Sequence, residues 1–304
     1  MTAGKGGIHV LPSRPQVRRL GADRLEVAAP AKINLNLLVG PRRADGFHAV
    51  DSIVAKVTIY DVLELRARRD GRMMFSSRGL DCGPDEANIA FRAARMLEDR
   101  ASPAGADIAL VKNIPPGAGL GGGSSDAAAV LAGLNVLLDL GLGGAELAGL
   151  AASLGSDVPL FLGPACCRVT GRGEIVAPAE VHDFVAILIL PDEPCATAEV
   201  YRAYDALTGE PGRQPDGAAI ASQPPSRWRG LLRNDLARAA RSVSKRLDEA
   251  YRGLAGSLEL PVCITGSGGA MFVICDDEAE AAEVWGRIPP DLRERAVIVR
   301  PNPW

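Results

Sequence analysis

The sequence predicts an α+β fold in two parts. Helical and strand periodicities are mixed along its 304 residues without a steady strand–helix–strand rhythm. Two strands run into glycine-rich turns, and 47% hydrophobic residues supply ample material for a buried core. The division falls near residues 170–181. It gives a flexible N-terminal extension at 1–22, a first domain at 23–175 and a second at 176–304.

Residues 25–39 read as strand interrupted by Pro30, with Ile33, Leu35 and Leu37 alternating against Lys32, Asn34 and Asn36. A polar loop, GPRRADGFH, leads to a strand pair over 52–65, and residues 86–99 carry apolar positions at helical spacing. A short strand at 106–112 meets IPPGAGLGGGSS, and a helix follows over 125–138 with Ser124, Ser125 and Asp126 as capping residues. Another helix fits 145–154, stopped by Gly155. An apolar strand at 184–190 opens the second half. Residues 208–225, rich in Gly, Pro, Gln and Ser, form a surface insertion. Helices at 234–241 and 244–254, strands at 262–265 and 270–275 around GSGG, a helix at 279–287 and a strand at 296–300 complete the chain.

A net charge of −3 offers no field for nucleic acid or an anionic membrane, so a phosphorylated ligand needs local cations. The longest apolar run is too short to cross a bilayer, and the first 24 residues lack the apolar core of a signal peptide. Six cysteines without a CxxC pair and three scattered histidines draw no metal cluster and read as buried thiols. These features predict a cytoplasmic protein with no membrane or nucleic-acid partner, as a monomer or homodimer.

Gly117, Gly119 and Gly122 formally satisfy GxGxxG, but Pro115 and Pro116 precede them and no strand follows the next helix, as a dinucleotide fold requires. No GK[ST] follows either, which excludes a Walker A loop. A structural connection without a ligand is the remaining alternative. Five glycines entering Ser-Ser-Asp at a helix start favour an anion, because backbone N–H groups can approach a phosphate and the helix N-terminus adds unpaired donors.

Three separated segments, PAKINLNL at 30–37, PPGAGLGGGSSDAA at 115–128 and TGSGGAMF at 265–272, together resemble the signature motifs of the GHMP kinase superfamily. RRADGFH, LGSDVP, GRGE and RNDL narrow the resemblance to the 4-diphosphocytidyl-2-C-methyl-D-erythritol kinase family, from about residue 29 to 272. It implies a two-domain GHMP fold with the active site in the cleft between domains, ATP and Mg²⁺, and a CDP-linked methylerythritol phosphorylated on its 2-hydroxyl. A mevalonate or homoserine kinase is the alternative within the superfamily; the DGFH segment with Tyr201 suits a cytosine and has no role for a small free alcohol. A non-catalytic sugar or nucleotide sensor is the alternative from another class, and the presence of Lys32 and Asp157 argues against it.

The resemblance also assigns residues. Lys32 and Asp157 match the catalytic pair, Asp157 accepting the proton of the attacking hydroxyl. Each taken alone is ordinary, a solvated strand lysine and a helix cap. Pro116, Gly117, Gly119, Leu120, Gly121, Gly122, Gly123, Ser124 and Ser125 match the phosphate turn, with Ser124 or Ser125 as a Mg²⁺ contact. Asp126 stands where some members have asparagine and could support Mg²⁺ through water. Asn88 and Lys112 match adenine-site positions, Asn88 serving equally as a helix cap. Asn34 matches a polyol contact; Phe47, where the family commonly has tyrosine, His48 and Tyr201 match cytosine contacts. An exposed loop histidine and a plain helix-face tyrosine are the alternatives for the last two. Gly266, Ser267 and Gly268 line the substrate cavity or buttress the phosphate turn.

Overall fold

The computed structural model describes residues 17–208, Ile220 and residues 223–302. Its first half begins with strands β1 (Val17–Gly21), β2 (Arg24–Asn34), β3 (Leu38–Arg42), β4 (His48–Arg68) and β5 (Met73–Gly79). Helices α1 (Ile89–Arg95) and α2 (Glu98–Ala101), strand β6 (Gly105–Lys112) and helices α3 (Gly122–Leu137), α4 (Gly144–Leu154) and α5 (Val158–Leu162) follow, then β7 (Cys166–Gly171) and β8 (Ile175–Pro178). The second half contains β9 (Val185–Ile189), α6 (Thr197–Thr208), α7 (Ala237–Val243), α8 (Lys245–Ser257), β10 (Cys263–Ile264), β11 (Met271–Cys275), α9 (Glu278–Arg287), α10 (Pro290–Arg293) and β12 (Ala296–Val299).

Strands β1 to β8 form one sheet and β9 to β12 another, so the change of sheet falls between Pro178 and Val185. The first is ordered β1-β2-β4-β6-β5, antiparallel except for β5 on β6. The other end of the 21-residue β4 carries β3 and β7, where the sequence suggested a pair of shorter strands. Pro30 does not break β2. It cannot donate to the ladder, and the register slips there: Pro30 faces Tyr60 while Ala31 faces Val57. Beyond this bulge the predicted alternation holds. Ile33 and Leu35 enter a core shared with Leu188, Phe272 and Trp228 of the second half, which locks the two sheets together. Lys32 and Asn34 take the opposite face.

The first sheet's other layer is helical: Leu25, Val27 and Leu65 pack against Ala127, Val130 and Leu134 of α3 and against α1, α4 and α5. In the second half, β9 lies between β11 and β12 and is buried on both faces, as its unbroken apolar run requires. Helices α6 to α8 cover it through Val200, Ala240, Leu247 and Leu254.

Several expectations need correction. Residues 17–21 of the expected flexible extension form edge strand β1 on β2, and residues 1–16 lie outside the described residues. The helix expected over 86–99 is three pieces, a 3₁₀ turn at Asp85–Ala87, α1 and α2, because Asn88 caps α1 by accepting the Ala90 N–H at 2.9 Å and the helix is interrupted by a turn at Met96 and Leu97. Most of the 208–225 insertion lies outside the described residues, although Ile220 is fully buried in the shared core. Half of the cysteines, Cys82, Cys166 and Cys263, are only partly buried.

Candidate active site

A cavity of about 840 Å³ lies between the two halves, and three structural segments converge on it. The first is the end of β2. Lys32 is 5% exposed, and its Nζ donates to Asn34 Oδ1 at 2.6 Å and to the Gly119 carbonyl at 2.7 Å. Its backbone N–H donates to the Leu120 carbonyl at 3.0 Å, which docks the strand on the glycine turn. Asn34 is fixed in turn by donating to Ser52 Oγ at 2.8 Å. Burial lowers the Lys32 pKa, and the negative charge of Asp157 works in the opposite direction.

The second segment is the glycine turn. Gly117, Gly119 and Gly121 sit at φ of +69°, +77° and +70°, the left-handed region that favours glycine. A Cβ at Gly119 would lie 2.3 Å from the Thr265 carbonyl, and one at Gly121 2.7 Å from the Phe161 ring. Close packing therefore demands these glycines as firmly as backbone dihedrals do. Helix α3 starts at Gly122 with Gly121 as its N-cap residue, so Ser124 and Ser125 lie inside the first turn and do not cap it. The Ser125 N–H makes a helical bond to the Gly121 carbonyl at 2.9 Å, leaving the N–H groups before it without helical partners. Gly121, Gly122, Gly123 and Ser124 all line the cavity. The third motif buttresses this turn: the Ala270 N–H donates to the Ala118 carbonyl at 2.9 Å. Gly266 and Ser267 also reach the cavity.

Asp157 comes from the third segment. It stands exposed immediately before α5, and its carboxylate makes no capping hydrogen bond. Lys32 and Asp157 therefore share one cavity without forming an ion pair among the described residues.

At the other end of the cavity His48 and Tyr201 stack, with ring centroids 5.7 Å apart and planes 25° from parallel. Tyr204 meets the His48 edge at 5.8 Å. His48 Nδ1 is 2.9 Å from the Gly40 carbonyl, which can only accept, so Nδ1 carries the hydrogen. Nε2 is 2.9 Å from Asp205 Oδ1 yet lacks hydrogen-bond geometry. Burial, and then the Asp157 charge, push the Tyr201 hydroxyl up to about 12, which keeps it a neutral donor. Phe47 is 56% exposed on the rim, with the Arg172 guanidinium over its ring at 5.2 Å.

Five residues expected at the site do not line the cavity: Asn88, Lys112, Leu120, Ser125 and Gly268. Asn88 is occupied as the α1 cap, and its amide also donates to Cys82 Sγ at 3.3 Å. Leu120 is core, and Gly268 packs against Ala240 of α7. Ser125 is 1% exposed and its Oγ has no hydrogen-bond partner. Lys112 is buried between Asp61 and Asp126. Burial opposes its charge, but the two carboxylates outweigh burial and raise its pKa. Burial raises Asp126 well above the usual carboxylate range, with Lys112 opposing and Asp61 adding to the rise, and Asp126 Oδ2 accepts from Lys112 Nζ at 2.9 Å. Asp61 also accepts the N–H groups of Asn113 and Ile114 at 2.6 and 2.9 Å, tying β6 to the approach of the glycine turn. Lys112→Met should cost about 3–5 kcal/mol in urea unfolding, because two buried acids lose their counter-charge. Loss below about 1 kcal/mol would mean the ion pairs contribute little net stability.

Sequence reasoning missed Arg42, Arg172, Arg202, Thr197 and Asp205, all of which line the cavity. Arg42 and Arg172 lie in RRADG and GRGE, segments noticed for their resemblance but not for their charge. Thr197 Oγ1 and Ser267 Oγ approach to 2.8 Å and join α6 to the third motif. No group of three or more His, Cys, Asp or Glu side chains converges to hold a metal among the described residues. No described helix is long and apolar enough to cross a membrane.

Residues 88–163 match the GHMP kinases N terminal domain and residues 218–291 the GHMP kinases C terminal. A 4-diphosphocytidyl-2-C-methyl-D-erythritol kinase of Desulfotalea psychrophila is 38% identical over 257 residues, covering 83% of this chain and 85% of that relative. One from Symbiobacterium thermophilum is 36% identical over 290 residues, covering 90% and 99%. A crystal structure of 4-(cytidine 5'-diphospho)-2C-methyl-D-erythritol kinase matches with a TM-score of 0.77 at 32% identity, over 92% of this chain and 100% of that one. The mevalonate kinase of L. major shares the fold alone, with a TM-score of 0.69 at 15% identity over 91% and 95% of the two chains. On this similarity across most of its length, the chain belongs to the 4-diphosphocytidyl-2-C-methyl-D-erythritol kinase family of GHMP kinases.

Proposed function

We propose that the protein transfers the γ-phosphoryl group of ATP to the 2-hydroxyl of 4-diphosphocytidyl-2-C-methyl-D-erythritol, giving the 2-phosphate and ADP in the non-mevalonate route to isoprenoid precursors. The observation that carries this reading is a single cavity bounded by a phosphate turn, an acid–lysine pair and a stacked His48–Tyr201 platform.

The turn and the start of α3 present unpaired N–H groups to the ATP phosphates, and no side chain at 117, 119 or 121 obstructs their approach. Asp157 accepts the proton of the acceptor hydroxyl as the new P–O bond forms and ADP departs. Lys32, held by Asn34 and Gly119, keeps that hydroxyl in line and offsets the charge of the moving phosphoryl group. The acceptor is a tertiary alcohol, crowded and weakly nucleophilic, so positioning carries much of the rate. Ser124, the one hydroxyl of the turn on the cavity wall, suits a Mg²⁺ that the nucleotide phosphates and water otherwise coordinate. When bound, Mg²⁺ would neutralise phosphate charge. Arg42, Arg172 and Arg202 supply the local cations that a CDP diphosphate needs and that the net charge of −3 does not.

At the base end His48, with Nδ1 committed to the Gly40 carbonyl, keeps Nε2 for a hydrogen bond to the edge of cytosine, and Tyr201 and Phe47 offer faces for stacking. Mevalonate and homoserine carry nothing for these groups to hold. Losing one such hydrogen bond is worth about 1–1.5 kcal/mol, so His48→Ala should raise KM for the CDP substrate by roughly 10-fold. The KM for ATP should stay unchanged. Steady-state kinetics with each substrate varied tests this, and an equal rise in both constants would remove the cytosine role.

A further inference from the structure

Lys56 is a buried lysine that the reaction does not use. It lies on β4 directly across from Lys32 on β2, and directly opposed residues of an antiparallel pair project from the same face of the sheet. The two ammonium groups diverge. Lys32 reaches the cavity, whereas Lys56 Nζ donates to the carbonyls of Phe161 at 3.2 Å and Gly163 at 2.6 Å. Those carbonyls belong to the last turn of α5 and the residue that ends it. Orphan carbonyls at a helix C-terminus accept readily from a cation.

The helix held in this way is only five residues long, and Asp157 stands at its other end. Its underside is apolar and buried through Val158, Leu160 and Phe161. The Phe161 ring lies against Gly121 so closely that a Cβ there would come within 2.7 Å of it, and the same Cβ would come within 3.2 Å of Lys32 Cγ. One side chain of α5 therefore touches the phosphate turn, its last carbonyls are gripped from the strand beside Lys32, and Asp157, the residue before its first, lines the cavity.

We infer that Lys56 is a positioning residue for phosphoryl transfer, acting through α5 to hold Asp157 in register with Lys32 and the glycine turn. Burial lowers the Lys56 pKa to about 8, with Cys167 and Cys166 opposing, so the ammonium form prevails at neutral pH. A 1 Å displacement of a reacting group can cost on the order of 100-fold in rate, and the two Lys56 hydrogen bonds fix the C-terminal end of a helix whose apolar side packs on α3 and α4.

The inference rests on the reading of Asp157 as the base, and a double-mutant cycle separates the two. Lys56→Met removes both hydrogen bonds at similar volume, whereas Lys56→Gln keeps an amide donor and a neutral side chain that tolerates burial. With folding verified by thermal melting, Lys56→Met should lower kcat at least roughly 10-fold and leave KM for ATP within about 2-fold, and Lys56→Gln should recover part of that loss. On an Asp157→Ala background Lys56→Met should produce no further fall, because it acts only through that carboxylate. Wild-type kcat in both Lys56 variants would overturn the inference, as would a full additional fall on the Asp157→Ala background. If Lys56→Met does not fold, the Gln variant completes the same cycle. Should Asp157→Ala itself keep near-native turnover, the base assignment fails instead.

Discussion

Asp157→Ala is expected to lower kcat by roughly 10²–10⁴-fold, the range lost when a general base is removed. The site makes this the largest single effect. The acceptor alcohol must lose its proton as the phosphoryl group arrives, and Asp157 is the acid on the cavity wall whose charge reaches Lys32 and Tyr201. Its side chain makes no capping bond, so truncation should leave α5 folded through its buried Val158, Leu160 and Phe161. KM for ATP should therefore change little and the melting temperature should hold. Steady-state kinetics beside a thermal melt reads both. Turnover within a small factor of wild type would remove Asp157 from the base role.

Lys32→Met is the second large effect, a loss of roughly 10²–10³-fold in kcat, as for other fixed donors that meet developing charge. The ammonium is held at 2.6 and 2.7 Å by two acceptors and is almost sealed from water, so its field at the acceptor is strong and already oriented. Methionine keeps the volume and removes the charge. Because burying a charged lysine is costly, the variant should be no less stable than wild type, which distinguishes lost catalysis from lost folding. The lowered pKa has a kinetic consequence. Lys32 is charged below its pKa, so kcat should fall as pH rises, and it should do so at lower pH than for an ordinary lysine. A Lys32→Met enzyme with wild-type turnover would contradict the role assigned to the ammonium.

Much of this site was legible where local pattern determines position. The alternation through Ile33 and Leu35 put Lys32 and Asn34 on a common face, and the glycine run with its hydroxyls marked a helix start facing an anion. What local pattern left open was set by partners and by helix register. Lys112 precedes the turn in sequence, but Asp61, 51 residues away, and Asp126 draw it into the interior. Asn88 reads as a cap and a ligand candidate at once, and in the structure its Oδ1 accepts the Ala90 N–H as the α1 cap. Ser125 fell inward because α3 starts three residues earlier than expected, at Gly122, which turns Ser124 to the cavity and Ser125 into the core. Arg42 and Arg172 were invisible for the opposite reason: isolated loop arginines have no periodic signature, and their value appears only where β3 and the turn after β7 meet the cavity.

The same logic applies at the scale of the fold. Strand β9 was recognised from its apolar run, because burial on both faces leaves that mark. Strand β1 was not, because VRRLG is a polar edge strand, paired with β2 and adding Val17 alone to the apolar side of the core. Strand β4 read as a pair because its 21 residues pass between different neighbours, β3 and β7 at one end and β6 at the other.

Selection of a cytosine-bearing alcohol and its phosphorylation are both assigned to this one cavity. The direct measurement is ADP release by the purified protein with ATP and Mg²⁺, offered in parallel the CDP-linked methylerythritol, mevalonate and homoserine. ADP should form with the CDP-linked polyol and not above background with the other two. Release with mevalonate or homoserine and not with the CDP-linked polyol would contradict this assignment.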